Sequence, residues 1–79
     1  MSNLQKYNDV FKQCLGVTED NLNSQLTYQS VEDWDSVGHM NLIAELEDCF
    51  EIMMETEDII DFNSYEKGKE ILLKYQITL

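Results

Sequence analysis

Arginine and proline are absent from this chain of 79 residues, histidine occurs once, cysteine twice, and no long apolar run is present. Each shortage closes off a class of function. Without arginine, five lysines are the only permanent cations against 16 acidic residues, leaving a net charge of −11. Such a chain has no basic patch to overcome phosphate repulsion, so nucleic acid and anionic membrane surfaces are disfavoured as partners. Two cysteines, Cys14 and Cys49, are too few for the disulfide framework of a small secreted domain. With no signal peptide and no segment long enough to cross a bilayer, the expectation is a reduced, cytoplasmic protein without membrane insertion.

The single histidine narrows the chemistry further. Ser36 and His39 are three apart and would share a helix face, but no Gly-x-Ser-x-Gly elbow accompanies them, which argues against a serine hydrolase. One histidine and two cysteines are too few for a zinc site. The run from Asp33 to Gly38 opens like a calcium-binding loop. Val37 and Ala44, however, stand at its fifth and twelfth positions, where oxygen ligands are required.

What is present is 43% hydrophobic residues, enough for a core and too many for a disordered tail. No linker, repeat or low-complexity tract divides the chain, so residues 1–79 read as one domain, expected to be monomeric. A chain of this size buries about 60% of its unfolded surface, which leaves one thin core and no deep cleft.

Helical periodicity accounts for most of the length. Leu4, Tyr7, Val10, Phe11, Cys14 and Leu15 form a stripe that predicts a helix over residues 4–15, stopped by Gly16. Residues 17–35 have no sustained period. They predict a long loop containing a short helical turn, pinned by Val17, Leu22, Leu26, Tyr28, Val31 and Trp34. A second helix is expected from Asp35 or Ser36 to Phe50, with Leu42, Ile43, Leu46, Cys49 and Phe50 inward. Val37, Met40 and Ala44 form a second apolar line beside Ser36. Thr56 is expected to cap a short helix over residues 57–61. Asn63, with Glu66, is expected to cap a fourth that packs Tyr65, Ile71, Leu72 and Tyr75. Gly68 inside that helix marks a close contact, and only residues 76–79 are candidates for extended chain. The fold class is therefore all-α: a small four-helix bundle, three longer helices and one short, with a long first loop.

Ser36 stands where the loop becomes the second helix. A hydroxyl at a helix start faces solvent, and the first-turn N–H groups have no partner within the helix, so the position suits a phosphate ester. The run Asp35-Ser36-Val37, opening an acidic helix that ends Leu46-Glu47-Asp48-Cys49-Phe50, resembles the acyl carrier proteins. The first helix closed by Leu15-Gly16-Val17, the long loop and the spacing of the final helices extend the resemblance over nearly the whole chain.

That resemblance implies a non-enzymatic carrier with 4′-phosphopantetheine on Ser36, beside Asp35, with Val37 where leucine is usual. It implies service by a phosphopantetheinyl transferase, a loading ligase for acyl or aminoacyl groups, and a downstream acyltransferase or synthase. Val37 and Met40 are candidate apolar anchors for a partner, and Glu45, Glu47 and Asp48 candidate contacts for its basic residues. Partial core packing of the first pair and a merely solvated face for the acids are the plainer readings. Gly38, His39 and Asn41 depart from the fatty-acid pattern. With Trp34 they look more like carriers of specialised pathways, such as peptide, polyketide or surface-polysaccharide assembly, with fatty acid synthesis as the other pathway that the resemblance implies. His39 is a candidate contact for a partner or the phosphate, or else an exposed side chain. The alternative reading is an acidic helical adaptor that binds basic proteins without a prosthetic group.

Overall fold

In the computed structural model, which describes residues 2–79, each helix starts and stops for an identifiable local reason. Helix α1 (Asn3–Leu15) is opened by a capping box: Ser2 Oγ accepts from the Gln5 backbone N–H, and the Gln5 side chain accepts from the Ser2 N–H. It stops at Gly16, whose left-handed backbone (φ 64°) lets its N–H reach the Lys12 carbonyl. A 3₁₀ turn, Glu19–Asn21, supplies the short helical piece expected in the loop.

Helix α2 (Ser36–Phe50) is capped by Asp35 and ends at Glu51, a non-glycine residue in the left-handed region. Helix α3 covers Thr56–Asp61. Its N-cap is Glu55, and no side chain caps it, so Thr56 is the first helical residue and not the expected cap. Helix α4 (Tyr65–Lys74) is capped by Ser64, whose hydroxyl accepts from the Lys67 N–H. The expected Asn63–Glu66 capping pair is therefore off by one residue. Asn63 uses its carbonyl to accept from the Tyr28 N–H, and Glu66 pairs instead with Lys69. No strand forms at residues 76–79. The chain turns after Tyr75, the Ile77 N–H returns to the Leu72 carbonyl, and Ile77 and Leu79 pack against the core.

Among the described residues the protein is all-helical, a small bundle with no named strand. An isolated bridge between Thr27 and Ser64 ties the long loop to the start of α4, through Tyr28 N–H to Asn63 and Tyr65 N–H to Leu26. No helix among the described residues is long and apolar enough to cross a membrane.

The core is built around Phe11, whose ring meets those of Tyr7, Trp34, Phe62 and Tyr65 at centroid distances of 4.8–6.2 Å. Each such pair contributes about 0.5–1.5 kcal/mol beyond burial. Leu42, Ile43 and Leu46 from α2 and Ile71 and Leu72 from α4 complete it. Cys49 and Phe50 are half-buried at its edge. Of the loop anchors, Leu26 and Trp34 are fully inside, and Val17, Leu22 and Val31 pack partly, while Tyr28 stays 37% exposed. Gly68 sits where a Cβ would lie 2.2 Å from Tyr7 Oη and 2.3 Å from Phe62 Cζ, the close contact that the sequence suggests.

Candidate functional site

Two residues at the start of α2 are chemically able to cap it, and which one does so decides the fate of Ser36. Asp35 takes the role. Its backbone is extended, its Oδ1 accepts from the Gly38 N–H at 2.8 Å, and its carbonyl accepts from the His39 N–H at 2.7 Å. Ser36 is thereby the first helical residue, exposed, with its hydroxyl in no hydrogen bond among the described residues. The hydroxyls of Ser2, Ser30 and Ser64, by contrast, each accept from a backbone N–H. The Gly38 N–H is occupied by Asp35, so of the first-turn donors those of Ser36 and Val37 remain for an external group.

The junction that presents Ser36 is held from two sides. The Asp33 carbonyl oxygen packs against Gly38 so closely that a Cβ there would lie 1.8 Å from it. On the other side, fully buried Trp34 donates from Nε1 to His39 Nδ1 at 3.0 Å. An indole N–H only donates, so Nδ1 is the acceptor and the imidazole proton sits on Nε2. That N–H in turn donates to the Ile59 carbonyl of α3 at 2.8 Å. His39 is thus a half-buried bridge between the loop, α2 and α3, and not the free helix side chain or phosphate contact that sequence reasoning offers.

Beside Ser36 lies an open, mainly apolar recess of about 290 Å³, lined by His39, Met40, Ile59, Ile60, Phe62 and Tyr28 together with Ser36 and Asn63. A second, polar recess of about 380 Å³ at the junction is lined by Cys14, Asp33, Asp35, Val37, Gly38 and Asn41. Burial, then the charge of Glu45, pushes the Cys14 thiol upward from its ordinary range, which disfavours the nucleophilic thiolate.

The sequence-predicted surface divides into distinct parts. Val37 and Met40 are 69% and 56% exposed, so neither packs into the core; Met40 lines the apolar recess with Ile60, itself 72% exposed, while Val37 lines the polar recess. Ala44, Glu45 and Asp48 are also exposed. Glu47 is half-buried, and its Oε2 accepts from the Met54 N–H at 2.8 Å, giving it a role in the α2–α3 connection. All five lysines lie on α1 or α4, as Lys6, Lys12, Lys67, Lys69 and Lys74. Three of these already face carboxylates: Lys12 pairs with Asp9 and Glu19, Lys69 with Glu66, and Lys74 with Asp58. The acids of α2 and α3 are therefore barely offset within their own elements. No protein-family model matches the chain, and neither do any curated proteins or solved structures.

Proposed function

We propose that this chain is a carrier protein that holds acyl or aminoacyl groups on a 4′-phosphopantetheine arm esterified to Ser36. The observation that carries the reading is the division of labour at α2: Asp35 caps the helix, leaving the Ser36 oxygen exposed and uncommitted. The site has the right character for the group. Two first-turn N–H donors and the positive end of the α2 dipole lie at the attachment point, favouring a phosphate by about 0.3–1 kcal/mol. The mainly apolar recess beside Ser36 has room for uncharged parts of an arm or cargo. When bound, the arm supplies a terminal thiol that carries its cargo as an activated thioester. The chain itself then needs no base or nucleophile, in keeping with the unfavourable setting of the Cys14 thiol.

The protein's own residues present the oxygen, hold the junction rigid and offer a surface to visiting enzymes. Val37, Met40 and Ile60 supply exposed apolar contacts, and Glu45 and Asp48, exposed further along α2, supply charge for basic partner residues. Such docking is weak and brief, as a protein handed between a transferase, a loading ligase and a downstream acyltransferase or synthase requires. A cytoplasmic role in a specialised assembly pathway is the setting this reading favours.

Incubation with coenzyme A and a broad-specificity phosphopantetheinyl transferase, followed by intact mass measurement, tests it. The native chain gains one arm and Ser36→Ala gains none. A native chain that stays unmodified leaves the acidic adaptor as the better account.

A further inference from the structure

We propose that the apolar recess beside Ser36 is a seat for the root of the phosphopantetheine arm, which leaves the site toward α3 and holds its cargo beyond the recess. The inference rests on the reading of Ser36 as the attachment point. It adds the direction the arm takes and the part of it that the chain binds.

Two recesses adjoin the start of α2, and they differ in charge. Ser36 lines the apolar one, with Tyr28, His39, Met40, Ile59, Ile60 and Phe62. None of its lining residues bears a carboxylate or an ammonium, although 16 of the 79 residues are acids. Asp33 and Asp35 line the polar recess, and Ser36 does not. A phosphodiester on Ser36 stays negative, so those two carboxylates repel it from the polar side. The charge pattern turns the arm toward α3.

The chemistry of the arm then selects the part that docks. Next to its phosphate comes a branched, uncharged segment, a carbon bearing two methyl groups only a few bonds from the Ser36 oxygen. The amides and the terminal thiol follow farther out. Met40 and Ile60 are 56% and 72% exposed, and a branched hydrocarbon laid between them removes apolar surface from water on both sides. Ser36 itself lines the recess, so the root enters directly, whereas cargo on the thiol must double back along the arm to reach the same place. The walls are also fixed beforehand. His39 ties α2 to the Ile59 carbonyl of α3, and the Tyr28 N–H ties the loop to the Asn63 carbonyl. Little ordering is left for the arm to impose.

Methyl signals tell the two sides apart, because Met40, Ile59 and Ile60 line the apolar recess and Val37 lines the polar one. The experiment uses the full chain with labelled methyl groups, before and after coenzyme A and a phosphopantetheinyl transferase add an unlabelled arm, with intact mass as the measure of modification. The modified chain is expected to show nuclear Overhauser contacts from the arm's paired methyl groups to Met40 and Ile60, and none to Val37. Those arm methyls are expected to move more slowly than in free pantetheine. Ile60→Ser and Met40→Gln, both at exposed positions, are each expected to lower the seated fraction about fivefold, read from the strength of the remaining contacts. Contacts to Val37, contacts from the thiol end in place of the root, or arm methyls as mobile as in free pantetheine overturn the inference, as does a seated fraction that neither substitution changes. A chain that takes up no arm removes the carrier reading and this inference with it, whereas a modified chain with a free arm removes this inference alone.

Discussion

The carbonyl oxygen of Asp33 occupies the space that any side chain on Gly38 needs: a Cβ would lie 1.8 Å from that oxygen and 3.0 Å from the carbonyl carbon. Backbone cannot fold aside as a flexible side chain can, so the loop before α2 and the first turn of α2 are fitted to each other.

Gly38→Ala tests that fit. On an open helix the change gains up to about 1 kcal/mol in helix propensity. Here it is expected to cost about 1–3 kcal/mol net, as overpacking does, and to shift Trp34 emission because the loop must move. Chemical denaturation followed by Trp34 fluorescence measures both effects. A stabilised variant with native emission contradicts the close approach.

Asp35 and Ser36, adjacent in sequence, are expected to respond oppositely to truncation. Asp35→Ala removes the cap and costs about 0.5–2 kcal/mol, while Ser36→Ala stays within about 0.5 kcal/mol of the native chain. Paired thermal melts settle the matter, and equal losses mean the hydroxyl shares the capping work.

Acid should weaken the junction of α3 and α4. The Lys74 ammonium and then the Tyr75 hydroxyl, both hydrogen-bonded to buried Asp58, hold its carboxyl below the usual carboxylate range. A depressed folded value contributes stability that is present above the unfolded value, about pH 4, and lost as pH falls through the lower folded one. The Asp58 contact raises Lys74, and burial, then the Asp58 contact, raises Tyr75; both contributions are held up to the ordinary alkaline values and lost above them. Asp58→Asn is expected to be less stable at neutral pH and flatter below pH 4 in denaturant titrations. An unchanged acid limb would assign that limb to other carboxylates.

Gly68→Ala is expected to destabilise by about 1–3 kcal/mol, because the new methyl meets Tyr7 Oη and Phe62 within the closed core. Tyr7→Phe removes the hydroxyl that donates to the Tyr65 carbonyl at 2.6 Å and relieves one of the methyl's two close contacts, leaving the one with Phe62. The double variant should therefore lose less than the sum of the singles by more than about 0.5 kcal/mol, read from denaturation midpoints.

For the proposed carrier, partner turnover is expected to fall with rising salt, and Glu45→Lys or Asp48→Lys to lower it a few fold, matching the ~0.2–1 kcal/mol of an exposed ion pair. Glu47→Lys should in addition destabilise the chain by freeing the Met54 N–H. Salt-independent kinetics shift the weight to Val37, Met40 and Ile60.

Side-chain periodicity is why the helices are legible in the sequence. The stripe of Tyr7, Val10, Phe11 and Leu15, and that of Leu42, Ile43 and Leu46, mark faces that do bury. Ser36 at the start of α2 follows from the same reading. Cap identity is harder to read, because neighbouring residues compete for one geometric role. Asn63 and Ser64 are both able to cap α4, and the bridge to the long loop leaves the role to Ser64. The supports of the site are harder still. Gly38 answers to a backbone carbonyl and His39 to another, 20 residues away, and carbonyls are the same whatever the side chain, so neither contact leaves a mark in the pattern of residue types.

The idle hydroxyl of Ser36 has one last consequence. For the proposed carrier, an ester formed there would break no hydrogen bond that the described residues make, so bare and decorated chains would share one scaffold. An enzyme that tells them apart would then have to read the attached group itself.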